Sequence, residues 1–96
     1  MKIKEGVILS ESSAIPIALQ IIEPILKKHG QELVITSMMD GQHMTGSKHY
    51  EGQAVDLRIW DLHHKDSCVH KMQTALGKNY DVVLESDHIH LEYDPK

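Results

Sequence analysis

The chain has 96 residues, 41% of them hydrophobic, which is enough for one compact domain around one core and too little for two. Ten Lys and Arg stand against fourteen Asp and Glu, a net charge of -4 with neutral histidines, and there is one Trp, three Tyr and no Phe; the basic face and stacking platforms of a nucleic-acid binder are therefore not expected. Cys68 is the single cysteine, which excludes an intrachain disulfide and any cysteine-rich zinc motif, so a metal would have to be held by His, Asp or Glu.

The opening MKIKEGVILSESS carries lysines, but its apolar run, Val7 to Leu9, is too short for a signal-peptide core. No run approaches membrane-spanning length, so the expectation is a chain that is cytoplasmic as synthesised, with no signal peptide and no membrane partner. Ser12 or Ser13 as cap, Pro16 in a first turn and Gly30 after Lys27, Lys28 and His29 predict a helix whose inward stripe is Ile15, Leu19, Ile22 and Leu26. Pro24 lies inside it and predicts a bend near residues 20–23. Leu33 to Thr36 reads as a buried strand. The polar stretch SMMDGQHMTGSKHYEGQ follows, a loop of about seventeen residues, and a loop that long in a small domain is usually functional.

Ala54 to Trp60 reads as a second strand, with Ala54, Asp56 and Arg58 on one face and Val55, Leu57 and Ile59 on the other. Ser67 is placed to cap a helix running through Leu76, with Val69, Met72 and Leu76 inward and Gly77 at its end. Tyr80 to Leu84 and His88 to Tyr93 then read as a strand pair. The order α, β, loop, β, α, β, β predicts an α+β fold, a single domain over residues 1–96 with an antiparallel-rich sheet packed on helices.

The segment ESDHIHLE, Glu85 to Glu92, holds the densest chemistry. On a strand, His88, His90 and Glu92 share one face, and Ile89, Leu91 and Tyr93 the other. A metal or acid-base site has this layout, and so does a plain solvated strand face. Asp56 sits on another polar strand face and His49 at the end of the long loop, with Gly52 between them permitting a tight turn. His49, Asp56 and a distant histidine together would supply the three protein ligands of a catalytic zinc site.

SKHYEGQAVDLR (Ser47 to Arg58) together with DHIHLEY (Asp87 to Tyr93) resembles the zinc D-Ala-D-Ala carboxypeptidase and dipeptidase family. That family includes phage endolysins that cut L-alanyl-D-glutamate bonds and vancomycin-resistance dipeptidases, within a broader group that takes in lysostaphin and the hedgehog signalling domain. Its pattern, Ser-x-His-x-x-Gly-x-Ala-x-Asp and then an acid three residues before a second histidine, is matched at every specified position. The resemblance runs from about Leu33 onward and implies a small α+β domain whose antiparallel sheet carries zinc. It implies His49, Asp56 and His90 as zinc ligands and Asp87 as the carboxylate that takes the proton of the attacking water, with peptidoglycan stem peptides as substrate. Glu85 and His88 form a competing acid-x-x-His frame. The later frame is preferred because His90-Leu91-Glu92-Tyr93 supplies the His-x-x-Tyr that members often carry, which leaves His88 beside the metal.

Under this reading Ser47 and Arg58 are candidate substrate-binding residues, and Arg58 has a rival role as a surface ion-pair partner. The dipeptidases use an arginine in the long loop; residues 37–46 contain none, and His43 and His88 are the candidates for that part. His29, His63, His64 and His70 are expected to be solvated, and Cys68 to be a small core or boundary residue. The implied function is that of a zinc metallopeptidase acting on peptidoglycan, acting at the cell wall if released. The alternative from a different class is a zinc-binding structural or interaction domain without activity; an acid at Asp87 favours the enzyme.

Overall fold

The computed structural model describes residues 2–4, 14–39 and 53–95, with Met39 described by its backbone alone. Two helices and five strands follow in the order β1 (Lys2–Ile3), α1 (Ala14–Lys28), β2 (Val34–Met39), β3 (Ala54–Arg58), α2 (Lys65–Leu76), β4 (Tyr80–Leu84) and β5 (His88–Tyr93). They build one mixed sheet in the order β1-β2-β3-β5-β4. β1 runs parallel to β2, and the other pairings are antiparallel. This is the α+β, antiparallel-rich arrangement that the periodicity predicts. Among the described residues no helix is long and apolar enough to cross a membrane.

One face of the sheet is the core. Ile35, Val55, Leu57, Ile89 and Leu91 from the three central strands are buried against Ile15, Ala18, Leu19, Ile22 and Leu26 of α1 and Cys68 and Met72 of α2. Truncating a central member such as Leu57 or Ile89 to Ala would cost roughly 2–5 kcal/mol. The alternation of β3 and β5 then obliges Asp56, Arg58, His88, His90 and Glu92 to emerge on the other face, where they are only partly buried.

The helices differ from their predicted form in detail. α1 buries the expected stripe and, as expected, remains one helix across Pro24, whose side is exposed; the proposed Ser12 or Ser13 cap lies outside the described residues. At its end Gly30 adopts φ +87°, its N–H reaching Lys27 O at 3.0 Å and that of Gln31 reaching Leu26 O at 3.0 Å, a Schellman closure. α2 starts two residues before the expected Ser67 cap. His64 precedes it in the left-handed region (φ 53°) with no side-chain cap, and Asp66 in the first turn complements the helix dipole. Cys68 is fully buried, while Val69 and Leu76 are half-buried against the core.

Two buried or half-buried amides that the periodicity does not flag join the layers. Gln31 accepts from the Asp61 N–H at 2.8 Å and donates to Glu32 O at 2.8 Å, which ties the end of α1 to the turn after β3. Gln73 accepts from the Val82 N–H and donates to Tyr80 O and Gly77 O, fastening α2 to β4. His29 contradicts its expected solvation. It is buried, its Nδ1–H donating to His63 O at 2.9 Å and its Nε2 lying 3.4 Å from Lys71 Nζ. His63, His64 and His70 are exposed as expected.

Candidate metal and acid-base site

β2 outruns its predicted end at Thr36 and continues to Met39, so the expected long loop loses residues 37–39 to the sheet. The reason is a bulge. Ile35 pairs with Leu57, Ser37 with Asp56 and Met38 with Val55, so two residues of β2, Thr36 and Ser37, span the step from Leu57 to Asp56. Ile35 and Met38 both turn toward the core, and Thr36 and Ser37 are left to the polar side. A bulge bends and twists its strand; this one lies directly opposite Asp56, and the Thr36 hydroxyl donates to Asp56 O at 3.3 Å.

On the other flank of β3, Asp56 is the Cα partner of His90, and Arg58 of His88. Asp56 Oδ1 lies 2.9 Å from His90 Nδ1, and the opposite ring nitrogen, Nε2, lies 3.1 Å from Glu92 Oε1. A neutral imidazole has one N–H, so both contacts are attractive only when the ring is doubly protonated or when another cation replaces one proton. Burial of the ring works to lower its pKa, but the hydrogen bonds with Asp56 and Glu92 outweigh it and the net effect is a raised pKa.

His88 stands one step further along the same face. Its Nδ1 is 2.6 Å from Asp87 Oδ1 and its Nε2 is 3.6 Å from Asp56 Oδ1. The hydrogen bond with Asp87 raises the His88 pKa, and the same bond holds the Asp87 carboxyl below its usual range. Asp87 belongs to the exposed turn 85–87 that joins β4 to β5, closed by the Glu85 N–H donating to His88 O at 2.8 Å. The His88 ring thus links the Asp87 carboxylate to Asp56. Tyr93, which helps choose the later frame in the sequence, points to the core side and packs on Tyr80 at 5.1 Å between ring centroids.

Asp56, His88 and Asp87 form one part of the wall of an open cleft of about 440 Å³, and Lys4, Thr36, Arg58 and Trp60 the rest. Among the described residues Arg58 has no ion-pair partner. Its guanidinium carbon lies 3.6 Å from the centre of the Trp60 ring.

The fit of a zinc ion rests on these donors. Asp56 and His90 have the right chemistry, and Glu92 is placed to hold the far nitrogen of the ring, as carboxylates do for metal-bound histidines. Tetrahedral ligation at typical zinc distances needs an N···O separation of about 3.4 Å, so the pair, now at 2.9 Å, would part by about half an ångström. The third expected ligand, His49, lies outside the described residues, as do Ser47, His43 and Gly52. Among the described residues Asp56, His88 and His90 do not form a group with all ligand atoms within 4.8 Å; Asp81, Glu92 and Asp94 do, an acidic set around the β4–β5 edge.

No family model, curated protein or solved structure matches this chain.

Of the residues in the cleft, Lys4, Thr36 and Trp60 are not singled out by the sequence reading. The break in alternation at Thr36-Ser37 is the signal for the bulge. Trp60 reads there as the end of a strand, whereas it sits in the turn beyond Arg58 and is 75% exposed. Glu92 is legible as a face-mate of His90, two residues on, but not as its partner.

Proposed function

We propose that this chain is a zinc-dependent peptidase that hydrolyses an amide bond of peptidoglycan stem peptides, of the D-Ala-D-Ala carboxypeptidase or L-Ala-D-Glu endopeptidase type. The observation that carries the reading is the Asp56–His90 pair. The motif resemblance names these two residues as ligands, 34 positions apart, and strand register brings them to 2.9 Å with their polar atoms facing. Asp56 and His90, with His49, would hold the ion, and Glu92 would fix the His90 ring. When bound, zinc supplies Lewis acidity, acidifying water and polarising a carbonyl oxygen.

The proton traffic belongs to the Asp87–His88 pair. His88 Nε2 faces Asp56 and takes the proton of the attacking water; Asp87, fixed to Nδ1, orients the ring and stabilises the imidazolium. Water oxygen bonds to the carbonyl carbon, the C–N bond breaks, and His88 returns the proton to the departing amine. The role expected of Asp87 alone thus falls on the pair, with the histidine as the group nearer to Asp56.

The test is digestion of purified peptidoglycan and synthetic stem peptides by zinc-loaded protein, with products identified by mass. Released D-alanine marks a carboxypeptidase, and a new amino terminus at D-glutamate marks the endopeptidase. Stoichiometric zinc with every peptide intact would leave a zinc-binding domain and remove the peptidase.

A further inference from the structure

The charges that line the cleft differ in what they are doing. Asp56 and Asp87 are engaged by His90 and His88. Arg58 lies over the Trp60 ring, and its buried Nε has no hydrogen-bond partner among the described residues. Asp56 shares its strand face with Arg58 but turns its Oδ1 to the histidines, and among the described residues the guanidinium is in no ion pair and lies over the indole. Lys4, just beyond β1, adds a second positive charge to the same cleft. A guanidinium stacked on an indole keeps its charge and its edge N–H groups available, and that edge matches a carboxylate in two parallel hydrogen bonds. Trp60 is three-quarters exposed, which leaves its ring free to cover the apolar part of a ligand.

We propose that Arg58, stacked on Trp60 and assisted by Lys4, is the subsite for a substrate carboxylate, selecting peptides with a free carboxylate next to the scissile bond over their carboxamides. The inference rests on the peptidase reading for the bond that is cut, but the anion subsite has its own geometry. Arg58 is the strand partner of His88, and neighbouring strand backbones lie about 5 Å apart. Arg58 and His88 line the same cleft, so a carboxylate on Arg58 and a carbonyl presented to His88 can belong to one bound peptide. The cleft volume, about 440 Å³, is within the usual range for small-ligand sites.

Trp60 is the only tryptophan, so selectively excited tryptophan fluorescence reports this cleft alone. N-acetyl-D-alanyl-D-alanine and N-acetyl-L-alanyl-D-glutamate, each against its α-carboxamide, are titrated into zinc-loaded protein, with hydrolysis followed in parallel. In the parent at least one carboxylate peptide should bind at least about tenfold more tightly than its carboxamide, a typical loss for one charged hydrogen-bonding pair. In Arg58→Gln that ratio should fall to about one while the carboxamide affinity stays unchanged, and Arg58→Lys should restore part of it. Equal affinities in the parent, no binding of either carboxylate peptide, or an equal loss for both forms in Arg58→Gln would overturn the subsite. Discrimination without any hydrolysis would keep the subsite and sink the peptidase reading; hydrolysis without discrimination would do the reverse.

Discussion

Asp56 and His90 are partners on adjacent antiparallel strands, joined at 2.9 Å between Oδ1 and Nδ1, and the far side of the same ring meets Glu92 at 3.1 Å. An imidazole held between two carboxylates is a site for a cation, filled by a proton or by a metal. Everything proposed about the chemistry follows from which of the two occupies it.

Ligand and support should separate by magnitude. Asp56→Ala and His90→Ala are expected to abolish tight zinc binding. Glu92→Gln should weaken it by about 10 to 100-fold, the usual effect of losing the partner of a ligating histidine. Competition against a chelating dye measures all three. If Glu92→Gln weakened zinc as much as His90→Ala, Glu92 would be a ligand, and the acidic set with Asp81 and Asp94 would become the place to look.

Acidification should act in opposite directions on metal-free and zinc-loaded protein. Without metal, the folded state raises the pKa of His90, and of His88, above the unfolded value of about 6.5. Their contribution to stability is then complete below about pH 6.5 and is lost as pH climbs through the raised folded values. With zinc the ligand histidine must give up its proton, so zinc-dependent stability should grow over the same rise in pH. Thermal melts with and without chelator between about pH 5 and 8 would show the crossing, and His90→Gln should remove most of it. Asp87 works in a lower window: its pKa is depressed, so its share is present above the unfolded value and disappears as pH falls through the folded one.

Much of this was legible in the sequence because burial on one face forces the other face to be polar. Val55, Leu57, Ile89 and Leu91 fix where Asp56, His88 and His90 point, and the β4–β5 pair has its predicted ends. Pairing information is not periodic, so β1, two residues long and parallel to β2, leaves no pattern to read. The bulge at Thr36 breaks the alternation from which a strand is recognised and so hides the rest of β2. His29 looks like a solvated helix-end residue until the His63 carbonyl and Lys71, 34 and 42 positions away, come into contact with it.

The acid-base pair makes its own ranking. His88→Gln should slow hydrolysis by at least about 10²-fold with zinc retained, since the proton acceptor is gone and the ligands are not. Asp87→Asn should lower the rate and shift the acid limb of the pH profile downward, because the bond that raises the His88 pKa is weakened. Glu85→Gln should change little. Steady-state rates across pH, with zinc content measured on the same samples, decide the order; a larger loss in Glu85→Gln than in Asp87→Asn would move the acid to Glu85. Loss of zinc in His88→Gln would make His88 a ligand.

The closure of α1 can be tested without reference to chemistry. Gly30 sits at φ +87°, and a Cβ there would come 2.6 Å from His63 Cδ2. His63 is exposed and free to swing aside, so the left-handed backbone dominates and Gly30→Ala should cost about 1–2 kcal/mol in urea unfolding. A neutral result would mean that the Schellman closure contributes little.

A zinc titration of metal-free protein against a synthetic stem peptide, with the hydrolysis rate followed at each addition, decides whether zinc drives cleavage. The rate should rise with zinc, level off at about one equivalent per chain, as expected for a single catalytic zinc site, and be absent from His90→Ala at every zinc level. A rate that ignores zinc, or no cleavage at full occupancy, would contradict zinc-dependent cleavage.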